Sequence, residues 1–121
     1  QPEDAVRLTD AARRRSPLGP QRYYFDSLSA TANLGAQNYD RAISLADRSL
    51  QANPTFPATL RTKAIALHSM GQTAKARDVV KSLLDVQPGF NIARYEKDHA
   101  APNASFGKDW SKALRSAGVP A

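Results

Sequence analysis

Few residues in this chain have the types and spacing that catalysis or metal binding needs. The two histidines, His68 and His99, stand far apart, outside the spacing by which a histidine pair, or a histidine and a carboxylate, holds zinc. Glu96, Asp98 and His99 form a polar cluster in a loop-like stretch, an arrangement more often solvated surface than acid–base machinery. Ser105 and Lys108 fit a Ser-x-x-Lys string, which occurs often by chance, and its companion motifs do not accompany it here. Residues 71–77, GQTAKAR, lack the further glycine of a phosphate loop and read as a turn entering a helix. Asn103-Ala104-Ser105 is an acceptor for glycosylation only in a secretory pathway. With no cysteine, disulfides, thiol nucleophiles and cysteine metal sites are excluded. The expectation is a chain with no catalytic residues, no cofactor and no metal.

Composition agrees with a surface-building role. The 121 residues fit one domain, and 41 % apolar with 23 % charged residues is ordinary for a globular protein. No apolar run approaches the roughly 18–20 residues that span a bilayer, and no signal-peptide pattern precedes the first helix. These features and the cysteine-free composition lead to an expected cytoplasmic location. A formal charge of +6 favours acidic partners. Only Arg13, Arg14 and Arg15 form a basic run, and they stand where a helix should end before Ser16-Pro17, which the helix dipole favours. Nucleic-acid binding is therefore the weaker reading of the charge.

The elements that must position any surface are helices. Helix formers dominate, short alternating β-branched runs are missing, and glycine and proline punctuate the chain regularly. Residues 3–15 make a first helix, broken by SPLGP. Arg22 to Leu34 makes a second, and Tyr39 to Gln51 a third, with Asn38 as candidate N-cap. Pro57 to Met70 makes a fourth, and a fifth starts at Thr73, a candidate cap, and stops before Pro88. The short turns between them force antiparallel neighbours.

The chain also matches itself at an offset of 34. Ala30 falls on Ala64, Ala32 on Ala66, Ala42 on Ala76, Leu50 on Leu84, Pro54 on Pro88 and Phe56 on Phe90. A 34-residue helix–turn–helix period is the length of a tetratricopeptide repeat. The chain resembles that family at Ala30, Tyr39, Ala42, Leu50 and Pro54 in one unit and Leu60, Ala64, Gly71, Ala76, Leu84 and Pro88 in the next. It departs at Gln37, where the family has a turn glycine, and at Lys63, where it has an apolar residue. The expected architecture is all-α: a tetratricopeptide-like solenoid of antiparallel helix hairpins with a C-terminal capping helix. Residues 1–20 are expected to be the second helix of a truncated preceding repeat plus linker. Residues 21–54 and 55–88 are two hairpins, and 89–121 a short helix plus a cap carrying Phe106, Trp110 and Leu114, stopped at Gly118 and Pro120. At the joint, Asn53-Pro54 should end one helix and Phe56 wedge into the next interface.

The tail PGFNIARYEKD followed by FGKDWSKALRSAGVP is similar to that of repeat regions in bacterial class III adenylate or guanylate cyclase-like proteins, and in winged-helix transcriptional regulators. The resemblance implies a non-catalytic protein–protein interaction module, the regulatory part of a bacterial signalling protein, with the winged-helix regulator as the alternative. It also implies a groove lined by the first helix of each pair: Tyr24, Ser27, Thr31 and Leu34, then Ala58, Arg61, Ile65 and His68. Such a groove suits an acidic peptide or protein, with self-association as a further use. Ser27, Thr31 and Thr62 replace the Lys and Asn with which one subfamily clamps a C-terminal carboxylate. On this reading, charge reversal at Arg61 should weaken an acidic partner with little effect on stability.

Overall fold

The structure, a computed structural model, describes residues 2–15, 21–99 and 105–121. Seven helices follow one another: α1 (Pro2–Arg15), α2 (Arg22–Gly35), α3 (Tyr39–Ala52), α4 (Pro57–Ser69), α5 (Thr73–Val86), α6 (Ile92–His99) and α7 (Ser105–Ser116). Among the described residues there is no strand. Pro17 and most of the Asn103-Ala104-Ser105 sequence lie outside the described residues, as do the side chains of Arg13, Arg15, His99 and residues 105–108, Phe106 included.

The hairpins α2–α3 and α4–α5 form because each turn reverses the chain within a few residues. Both turns close in the same way. The amide of Gln37 donates to the Leu34 carbonyl (3.0 Å) and that of Asn38 to the Asn33 carbonyl (2.8 Å). One period later, Gly71 donates to His68 and Gln72 to Leu67, both at 2.9 Å. This Schellman pattern requires a left-handed residue at its centre, and Gln37 (φ 63°) and Gly71 (φ 79°) supply it. The departure at residue 37 thus changes the side chain but not the turn. A third copy ends α7, where Gly118 (φ 112°) donates to Arg115 and Val119 to Leu114.

The proline joints repeat as faithfully. Asn53 donates to Ser49 and Phe56 to Asn53, and Gln87 donates to Leu83 and Phe90 to Gln87. Two details differ from expectation. Neither Asn38 nor Thr73 caps with its side chain: the Asn38 amide donates to Asn33 Oδ1 at 3.3 Å, and the Thr73 hydroxyl meets His68 Nδ1 at 3.1 Å. The Glu96–His99 stretch is helical, in a helix whose N-terminus is capped by Asn91 Oδ1 accepting from the Arg94 amide at 2.8 Å.

The hairpins stack through α3 on α4, and α1 packs on α2 as a back helix does on the next front helix. Asp10 of α1 accepts from Ser29 of α2 (2.7 Å), just as Asp47 of α3 pairs with Lys63 of α4 (2.7 Å). That ion pair is what occupies the place of the family's apolar residue at 63. The tail folds back, with α7 packing on α4 and on α6 and the Ile92 amide bonded to the Pro120 carbonyl at 2.8 Å.

The core is lopsided. A large apolar cluster joins Leu60, Ile65, Leu67, Val80 and Leu83 to Phe90, Ile92, Tyr95, Leu114 and Val119 of the tail. The cluster centred on the first hairpin is only Ala30, Leu45 and Ala46. Polar groups fill the rest of that hairpin: Asp26, Ser27, Ser29, Asn33 and Ser49 are all buried. Ser29 donates to Asp10, and Asp26, Asn33 and Ser49 also find partners, as buried polar groups must. The Ser49 hydroxyl meets the Thr59 hydroxyl (3.0 Å) and the Tyr23 carbonyl (2.8 Å), and Asn33 donates to the Ser29 carbonyl (2.8 Å). Asp26 faces the guanidinium groups of Arg22 (3.6 Å) and Arg48 (4.0 Å).

Candidate interaction surface

The front helices α2 and α4 lie side by side, and the Thr31 and Thr62 hydroxyls join them at 3.0 Å. The eight residues expected to line a groove divide into groups. Tyr24 is 46 % exposed, and Thr31 and Ala58 are half-buried at the surface. Ser27, Leu34 and Ile65 are at most 3 % exposed and have no area to offer a partner. Leu34 of α2 and Ile65 of α4 both belong to the large apolar cluster that joins the hairpins to the tail. His68 is half-buried and held toward the α4–α5 turn by Thr73.

Arg61 is a packing residue rather than an open groove charge. Its guanidinium lies 5.9 Å from the centre of the Phe90 ring, within cation–π range. Phe90 in turn meets Tyr95 edge-to-face at 6.1 Å. Burial pulls the Arg61 pKa below its ordinary value, against the opposing influence of Tyr95 and Asp98. Burial likewise pushes the Tyr95 phenol up, with Arg61 opposing. Charge reversal at Arg61 would place a partly buried carboxylate beside the Phe90 ring, so the variant is expected to lose stability, contrary to the reading from sequence. Phe56, at the start of the second hairpin, meets Tyr23 of the first edge-to-face at 5.2 Å, across the joint between the two.

Sequence reasoning missed a depression of about 470 Å³ among α3, α4 and α5. Its apolar lining comes from Ile43, Leu67, Met70 and Val79, and Asp40, Asp78 and Lys75 stand around it. Asp40 and Met70 also line an adjoining hollow of about 450 Å³ beside the α2–α3 turn. The signal was present in the repeat itself, since two exposed turns one period apart leave a space between them. Among the described residues no group of His, Asp or Glu could hold a metal, and no helix is long and apolar enough to cross a membrane.

The model of the tetratricopeptide repeat matches residues 33–97, from within α2 to within α6. It carries neither the cyclase-like nor the winged-helix context that the tail suggested. No curated protein and no solved structure matches the chain. The matched stretch is 65 of the 121 residues (97 − 33 + 1) and coincides with the part of the fold where turns and joints recur at one period. On the sequence match and on the recurring geometry alike, the chain belongs to the tetratricopeptide repeat family.

Proposed function

We propose that the chain is a non-catalytic module that binds a segment of another protein along the open part of its front-helix surface. The observation that carries this is the strip formed by Tyr24, Thr31 and Ala58, which reaches the surface across α2 and α4, while Ser27, Leu34 and Ile65 are buried and the half-buried Arg61 and His68 are engaged by Phe90 and Thr73. An aromatic ring beside small polar and apolar side chains suits an extended or helical peptide. The net charge of +6 favours an acidic one. Titration of an acidic peptide library by fluorescence anisotropy, repeated with Tyr24→Ala, tests the reading. Binders should weaken about tenfold or more with the variant, as for an aromatic anchor. Binders indifferent to it would remove the strip from consideration.

A second surface is favoured by the depression at Met70, whose lining mixes Ile43, Leu67 and Val79 with Asp40, Asp47, Asp78, Lys63 and Lys75 and suits an apolar side chain flanked by charged groups. Met70→Asp discriminates the two surfaces in the same titration. Placement in a cytoplasmic bacterial signalling protein, cyclase-like or winged-helix, is supported by the likeness of the tail alone, and the gene sequence upstream of Gln1 tests it.

A further inference from the structure

The first hairpin carries a charged cluster that the repeat does not ask for. Asp26 of α2 is 1 % exposed, and two guanidinium groups approach its Oδ2 through Nε: Arg22 of α2 at 3.6 Å and Arg48 of α3 at 4.0 Å. At the offset of 34 the places of Asp26, Arg22 and Arg48 are held in the second hairpin by Leu60, Phe56 and Ser82, so hairpin stacking does not require these charges. A buried carboxylate is costlier than the leucine that stands at the same place one period later. What it supplies is position, because it holds arginines from two helices at one spot. Their side chains remain 33 % and 40 % exposed. Both approaches are longer than the roughly 2.7–2.9 Å of a charge-assisted hydrogen bond. Neither guanidinium has another ion pair or a hydrogen bond among the described residues.

We propose that Arg22 and Arg48 together bind a carboxylate. Each guanidinium presents five N–H donors in a planar fork. Nε is the atom nearest Asp26 in both, which leaves the paired Nη groups for another acceptor. The two Nε atoms lie at most roughly 8 Å apart, their two distances to Oδ2 laid end to end, and a carboxylate accepting at about 2.8 Å through each oxygen spans such a gap. Local charge selects the ligand. Two guanidiniums against Asp26 leave one positive charge unopposed, which a carboxylate cancels and a phosphate, at about −2, exceeds. Asp10 of α1 accepts from Ser29 and pairs with neither arginine, and Asp47 of α3 is engaged by Lys63. The residues beyond the described ones include no Asp or Glu that could supply the anion. The site is separate from the front-helix strip, since Arg48 stands on a back helix and the role of Tyr24 does not enter the argument.

The test uses the whole chain and the magnetic resonance signals of the arginine Nε–H groups, at constant ionic strength. Titration with acetyl-tetraglutamate amide should move the Arg22 and Arg48 signals together and saturate with a Kd of about 1 mM or tighter. N-acetylglutamate, titrated alongside, separates the sources of the carboxylate. Equal saturation by it assigns a free small carboxylate, and saturation by the peptide alone assigns an acidic segment of a partner protein. Arg48→Gln should weaken the binding about tenfold, and Arg48→Lys, which keeps the charge and loses the fork, about threefold. Circular dichroism checks that each variant is folded, and the signals of the unaltered chain decide the matter where one is not. Tyr24→Ala should leave these shifts as they are, so failure of the peptide strip and failure of this site are told apart. The proposal is overturned if sodium chloride alone produces the same shifts, or if neither carboxylate saturates by about 10 mM. Inorganic phosphate binding more tightly than the peptide overturns it as well, as does a folded Arg48→Gln variant that binds like the parent.

Discussion

The two interhelix turns offer a matched experiment on backbone strain. Gln37 and Gly71 stand one period apart in the same Schellman turn, with φ 63° and 79° and the same hydrogen bonds. An L-residue in the left-handed region costs about 1–2 kcal/mol, whereas glycine enters it freely but loses about 0.5–1 kcal/mol more in chain entropy on folding. Gln37→Gly should therefore stabilise the protein by about 0.5–1 kcal/mol. The Gln37 side chain is exposed and makes no hydrogen bond that the change would remove. Gly71→Ala should destabilise by a similar amount. A Cβ added at Gly71 meets nothing within 4 Å, so the backbone angle is the whole cost. Urea titration followed by circular dichroism reads both, and the midpoint of thermal unfolding should move by about 4 °C in opposite directions. The two turns adjoin one hollow through Gln37 and Met70 but share no hydrogen bond, so the double variant should fall near the sum, within about 0.5 kcal/mol. A neutral or destabilising Gln37→Gly would refute the assignment of a strained turn at 37.

Other outcomes follow from single contacts. Arg61→Glu should destabilise by about 2–4 kcal/mol, since it replaces a cation over Phe90 by a desolvated carboxylate; a melting curve unchanged from the parent would return Arg61 to the open surface. The Tyr95 phenol is held above its ordinary value of 10.0, so the folded chain keeps a proton that the unfolded chain gives up. Its contribution is complete below pH 10.0 and is lost as pH rises through the raised value. Stability measured across that alkaline window should fall less steeply in Tyr95→Phe. Ser49→Ala should cost about 1–3 kcal/mol by leaving the Thr59 hydroxyl and the Tyr23 carbonyl without their partner, read from the urea midpoint.

The repeating scaffold was legible because a period written in small residues and prolines survives divergence. Ala42 and Ala76, each wholly buried, and Pro54 and Pro88 fixed the spacing, and helices α2 to α5 begin where those positions place them. The sequence could not show what the chain does to its own surface. Leu34, Ile65 and Arg61 occupy ligand-facing positions in the family pattern, yet here burial in the core and the stacking of Phe90 take them out of reach. Nothing in the spacing of a front helix records where a tail will fold. Asn38 does stand at the N-cap of α3, but its side chain bonds Asn33 instead, and Thr73 lies one residue inside α5, whose N-cap is Gln72, with its hydroxyl on His68. The strip at Tyr24 and the depression at Met70 arise from how neighbouring helices leave space, a property of pairs of elements.

The uneven core has a dynamic meaning. Stacked repeats gain stability from nearest-neighbour interfaces, so each can open at a free energy of its own. In the first hairpin Asp26, Asn33 and Ser49 occupy the places that Leu60, Leu67 and Leu83 fill in the second at the offset of 34. Hydrogen bonds contribute less net free energy than burial of comparable apolar groups, because water competes for them. Amide exchange should therefore run as a gradient, fast along α1 and α2 through partial opening and slow in α4, α5 and α7, which should exchange only when the whole chain unfolds. The yielding end is also the one that bears Tyr24 and the pair of Arg22 and Arg48. Whatever docks there tightens the loosest part of the molecule, and its arrival would register as slowed exchange well beyond the residues it touches.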